Sequence, residues 1–262
     1  MQVYDTHSGA QFQITKTGPA TGPMVILIHG SLDRSSGMAR LARATEHFRQ
    51  VVRFDRRGYN DRWEHPGPLT VAGNVDDIGA IIGSETAILI GHSYGGQVAL
   101  AAASRFPDRV VGVSTYETPL SWMTWWPTNT AGARGVLAGH QRAAEEFMIR
   151  MIGQQRWDAL PERTKTERRR EGRALVEELS ALRLGPSWEP ADIHCPVMCG
   201  IGTHAPPHQQ KAVAWLVDNL ESASSTVIHD AHHGAHMSHP KEMYEQLIQP
   251  HIDATGTFTE IS

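Results

Sequence analysis

Two cysteines in 262 residues are too few for a disulfide framework. Cys195 and Cys199 share one short apolar run in which side chains alternate, so both are expected as buried strand residues in a reducing setting. No stretch approaches the ~18 apolar residues of a membrane span. The opening MQVYDTHSGAQFQITKTG has no basic segment followed by an apolar one, so neither insertion nor export is expected. Charge of one sign is also scarce: 24 Lys+Arg against 28 Asp+Glu leaves a net charge of -4, too weak a field to draw nucleic acid or an acidic membrane surface. The chain lacks Gly-x-Gly-x-x-Gly, a phosphate loop and H-E-x-x-H, so no nucleotide, cofactor or metal is expected. These absences leave a soluble, cytoplasmic protein acting on a small molecule. Oligomeric state has no signal.

What is present is rhythm. From Met24 onward, short Val/Ile/Leu runs alternate with longer amphipathic segments, the pattern of parallel strands covered by helices on both faces. Strands are expected at Met24–Ile28, Val51–Phe54, Thr86–Ile90, Val110–Ser114 and Val197–Ile201, with helices at Leu41–His47, Asp76–Ile82 and Gln97–Arg105. Val3–Thr15 reads as an antiparallel edge hairpin. Between Glu117 and Pro190 the rhythm breaks into a tryptophan-rich segment and two helical stretches, Gln141–Ile152 and Pro161–Leu182, which read as an inserted lid. The mixed charges of Glu162–Arg173 are expected to form a solvated outer face. Strand and helix resume after Pro190, through Val213–Leu220, Ser225–His229 and Lys241–Ile248.

Gly91-His92-Ser93-Tyr94-Gly95 sits between the apolar Ile88-Leu89-Ile90 and an Ala-rich helix. A Gly-x-Ser-x-Gly motif in that context puts its serine on a sharp strand-to-helix turn, exposed above the sheet with helix N–H groups nearby. Ser93 is therefore the candidate nucleophile.

Ile28-His29-Gly30-Ser31 follows the first parallel strand, Phe54-Asp55-Arg56-Arg57-Gly58-Tyr59 the next, and His229-Asp230-Ala231-His232-His233-Gly234 the last. With the Ser93 motif, this ordered set resembles the α/β-hydrolase family over nearly the whole chain outside the lid. The resemblance implies an α/β fold with a mostly parallel sheet flanked by helices. Its core would be 1–117 and 191–262, with 118–190 as a helical lid in one overall domain. It also implies an oxyanion hole from the backbone N–H groups of Ser31 and Tyr94, and a catalytic base at His233. Asn60 and Asp61 depart from the small residues usual after the Arg56-Arg57-Gly58 turn, which is read as structural.

The family's commonest site for the triad acid, the loop after the seventh strand, is empty here: no Asp or Glu occurs from Ile193 through Val217, and Ala205 stands where Asp is expected. The family's second position, just after the sixth strand, holds Glu117, which is assigned as the acid; Asp230 is the alternative. A base at His233 must be neutral in the free enzyme, so activity should fall on acidification. His232 and His236, or His236 and His239, could also share a helical face toward a metal, but neither pair brings the third ligand and carboxylate of a zinc enzyme.

Trp122, Trp125 and Trp126 open the expected lid, above Ser93, and are candidates for an apolar acyl pocket. The resulting expectation is a serine hydrolase that cleaves a carboxylic ester through an acyl-enzyme. Thioester, lactone, amide or carbon–carbon cleavage on the same triad, and a slow hydrolase-like binding protein, are the alternatives.

Overall fold

The computed structural model describes residues 2–5, 11–129 and 139–256. Residues 6–10 of the expected hairpin and 130–138 of the expected lid lie outside the described residues. Eight strands form one sheet: β1 (Gln2–Asp5), β2 (Gln11–Thr17), β3 (Met24–Ile28), β4 (Val51–Phe54), β5 (Ala87–His92), β6 (Val110–Tyr116), β7 (Val197–Gly202) and β8 (Ala223–Ile228). Their spatial order is β1-β2-β4-β3-β5-β6-β7-β8. Pairing from β4 to β8 is parallel throughout, whereas β2 runs antiparallel to both β1 and β4.

The strand composition dictates this burial. In β3, Met24, Ile26 and Ile28 enter one core while Val25 and Leu27 enter the other, so the uninterrupted apolar run fills both faces. Helices α2 (Val71–Ile82) and α3 (Tyr94–Arg105) cover the first face, and α1 (Ala39–Thr45) with the C-terminal helical turns covers the second. Helix α2 begins five residues before the expected Asp76, because Thr70 accepts a hydrogen bond from the Gly73 N–H and caps it.

Between β6 and β7 the chain forms α4 (His140–Ile152), α5 (Gln154–Asp158), α6 (Glu162–Arg170) and α7 (Gly172–Leu184) among the described residues. The expected single stretch from Pro161 is two helices, divided at Glu171. Gly172 lies against the carbonyl of His140, where a side chain would collide, so the break lets α7 approach α4 closely. After β7 comes α8 (Pro207–Asn219).

Two expectations need correction. Helix α6 has no buried residue and fits a solvated face, but Glu171, within the same charged run, is buried and binds Arg34, Arg168 and the N–H of Asn60. Cys199 is a buried strand residue, but Cys195 precedes β7 and is half-buried; both are free thiols, each raised to about 11 by burial. No described helix is long and apolar enough to cross a membrane.

Candidate active site

Ser93 joins β5 to α3 with φ 53° and ψ -123°, a strained conformation for a residue with a side chain. Its neighbours make that turn feasible. A side chain on Gly91 would strike Gly95 and Gly96, and one on Gly95 would strike the carbonyl of Ile28, so only glycine lets α3 start this close to β3 and β5. The Ser93 N–H is held by the carbonyl of Tyr116, at 2.8 Å. Tyr94 is the first residue of α3, where backbone N–H groups have no acceptor within the helix.

At the end of β6, Glu117 is buried and has φ 46°, a second left-handed residue. One carboxylate oxygen accepts the Gly202 N–H at 3.2 Å, and the other lies 2.7 Å from Nδ1 of His233. A carboxylate can only accept, so His233 carries its proton on Nδ1 and presents the Nε2 lone pair. Asp230 turns elsewhere, toward His229 at 3.2 Å and His204 at 3.9 Å. The Tyr116 hydroxyl donates to the carbonyl of His232 at 3.0 Å; burial and the adjacent Glu117 raise its pKa. Each end of the Tyr116-Glu117 step therefore grips the histidine loop.

Ser93, Glu117 and His233 line one cavity of about 230 Å³ together with Ser31 and Tyr94. The structure thus brings together all five residues singled out for catalysis and oxyanion binding. It divides the tryptophans. Trp126, a buried member of the main core, also lines the cavity, its ring 4.7 Å from that of His208, whereas Trp122 and Trp125 are partly buried against that core and do not line the cavity. Phe147, Met151 and Leu179 from the helices between β6 and β7 complete the apolar wall, with Arg150 and Arg183 beside them.

The turn after β4 organises the Ser31 loop. His29 accepts the Arg56 N–H on Nε2 at 2.9 Å and faces the Gly30 carbonyl through Nδ1 at 2.8 Å; burial, then Arg56, lower its pKa to about 4 and keep it neutral. The Arg56 guanidinium donates to the carbonyls of His29 and Gly30 and pairs with Glu178 of α7. Glu178 also accepts the hydroxyls of Ser31 at 2.8 Å and Tyr59 at 2.7 Å. These supporting residues were missed from sequence, although a signal existed. Glu171 and Glu178 fall in register with Ala174, Leu175 and Leu182, on the buried stripe of a helix, where a carboxylate needs a partner.

Beneath His233, the His92 Nε2–H donates to the His233 carbonyl at 2.7 Å. Burial and the neighbouring His236 and His233 push the His92 pKa well down. Asp33, His92 and His236 are the one group among the described residues whose metal-type ligand atoms converge, all within 4.8 Å of one another. His232 instead stacks on His204, and His239 pairs with the Ser238 hydroxyl, so neither helical-face pairing considered from sequence is formed.

The sequence profile described as "Alpha/beta hydrolase family" matches residues 25–246. The chain belongs to that family. Among solved structures, this hydrolase is similar to a thermophilic esterase from Thermogutta terrifontis (20% identity, TM-score 0.74), covering 98% of this chain and 99% of that one. It is also similar to the enol-lactonase from Burkholderia xenovorans LB400 (20%, TM-score 0.71; 96% and 100% covered). A third is the meta-cleavage product hydrolase from Pseudomonas fluorescens IP01 (16%, TM-score 0.73; 98% and 98%). At these identities the likeness is one of fold. No curated protein sequence matches the hydrolase.

Proposed function

We propose that this hydrolase cleaves a carboxylic ester through an acyl-enzyme on Ser93. The observation that carries the reading is the 2.7 Å contact between Glu117 and His233 Nδ1 at a cavity that Ser93 also lines. Nδ1–H held by a buried carboxylate leaves Nε2 free to take the serine proton, and the carboxylate stabilises the imidazolium that forms. Ser93 Oγ attacks the acyl carbonyl, and the oxyanion is received by the N–H groups of Ser31 and Tyr94. His233 then returns the proton to the leaving alcohol, and water activated in the same way releases the acid. Trp126, Phe147, Met151 and Leu179 favour an apolar acyl group, and the described helices α4 to α7 serve as the lid over it. The named activities of the esterase and enol-lactonase neighbours fit, since a lactone is a cyclic ester.

A fluorophosphonate probe tests the mechanism. The full chain should be labelled rapidly and Ser93→Ala not at all. A folded protein that ignores the probe would instead be a hydrolase-like binding protein.

A further inference from the structure

The geometry points to a divalent transition-metal site formed by Asp33, His92 and His236, beneath the histidine loop and separate from the proposed triad. Three segments far apart in sequence supply it: the loop after β3, the end of β5 and the short helix Ala235–Ser238. All three ligand atoms lie within 4.8 Å of one another. His92 and His236 are 6% and 1% exposed, and the side chain of Asp33 is 21% exposed, with its Oδ2 buried.

Nε2 of His236 lies 3.1 Å from Asp33 Oδ2, an ion-pair contact out of hydrogen-bond alignment. His92 Nδ1, buried beside them, has no hydrogen-bond partner. A buried nitrogen lone pair left unpaired next to a carboxylate and a second imidazole is costly unless something binds it, since buried polar groups in folded proteins are almost always satisfied.

The outer atoms of two ligands are already fixed in the way metal ligands usually are. His92 donates Nε2–H to the His233 carbonyl at 2.7 Å, which leaves Nδ1 as the lone-pair nitrogen. Asp33 accepts the Arg34 N–H on Oδ1 at 2.8 Å, which leaves Oδ2 for the ion. Ligands at ~2.1 Å from zinc stand about 3.4 Å apart when tetrahedral, and Asp33 Oδ2 and His236 Nε2 already lie 3.1 Å apart. Imidazole and carboxylate together suit Zn²⁺ or a neighbouring first-row ion. Bound there, the ion would cross-link the segments that carry Ser31, Ser93 and His233.

The test is a calorimetric titration of the chelator-stripped full chain with Zn²⁺, with thermal unfolding in parallel. One equivalent should bind, and Tm should rise by ~5 °C or more at a hundredfold excess over Kd. Asp33→Asn, close to an isostere on the most exposed ligand, and His236→Gln should each weaken binding at least tenfold, with folding checked by circular dichroism. The double variant His232→Gln/His239→Gln should bind like the parent. Absence of binding, equal binding by Asp33→Asn and the parent, or loss of the equivalent in the double variant each overturns the site; the last would assign the ion to surface histidines.

Discussion

Arg56 and Glu178 lie 122 residues apart in the chain and form an ion pair in which neither side chain is exposed. The pair joins the turn after β4 to helix α7, and through Ser31 it reaches the loop that would bind the oxyanion. Removing one partner strands a buried charge, at a cost of roughly 3–5 kcal/mol; replacing both removes that term, although it also strips partners from the hydroxyls of Ser31 and Tyr59 and the carbonyls of His29 and Gly30. Urea unfolding should therefore show the double variant Arg56→Met/Glu178→Leu losing less than the sum of the losses of Arg56→Met and Glu178→Leu. Additive losses would mean that the ion pair does not set the stability of this contact.

The assignment of Glu117 is tested against Asp230. Glu117→Gln should fold and lower kcat by a factor on the order of 10³–10⁴, because an amide no longer selects the tautomer with a lone pair on Nε2. Asp230→Asn, on a residue facing His229 and His204, should leave kcat within about twofold. If Asp230→Asn is the crippled enzyme and Glu117→Gln is not, the acid has been misplaced.

The tryptophans should separate by kinetics. Trp126→Ala opens the cavity wall, so it should raise KM for long-chain p-nitrophenyl esters more than for the acetate. Trp122, packed on the core and against Trp188 at 6.2 Å, should on truncation lower Tm and leave the chain-length preference unchanged. A preference that shifts equally in both variants would remove the distinction.

Stability should fall with acid through His251. Burial lowers its pKa to about 4, and its Nε2–H donates to the Val113 carbonyl at 3.1 Å. An unfolded-chain histidine titrates near ~6.5. Between those values the unfolded chain takes up a proton that the folded chain refuses, so the contribution is complete above ~6.5 and lost as pH falls toward 4. It amounts to about 3 kcal/mol at most. His251→Gln will be less stable at neutral pH but should lose less between pH ~7 and ~4.5 than the parent, read from urea midpoints. Parallel pH profiles would exclude His251 as the titrating group.

Much of this was legible locally. The runs at Met24–Ile28 and Val51–Phe54 are strands with the expected bounds; the first is aliphatic throughout and is buried on both faces of the sheet. Gly91 and Gly95 announce the serine turn, since no other residue fits there. Helix starts were less legible: Thr70 caps α2 ahead of its apolar periodicity, and Glu171 divides a segment whose composition is helical throughout.

The Gly-x-Ser-x-Gly motif singled out Ser93, because a serine turn is a property of a short segment. The resemblance to the family implied His233 and Ser31. Only tertiary structure decided what those residues meet: Glu117 at His233 rather than Asp230, Trp126 at the cavity rather than Trp122, and Asp33 beside His92 and His236. The reason is distance in the chain. Glu117 and His233 are 116 residues apart, and what joins them is the parallel pairing of β5, β6, β7 and β8, which carries their ends to one edge of the sheet. No local pattern encodes that encounter; it is fixed when the apolar faces of the strands are buried together.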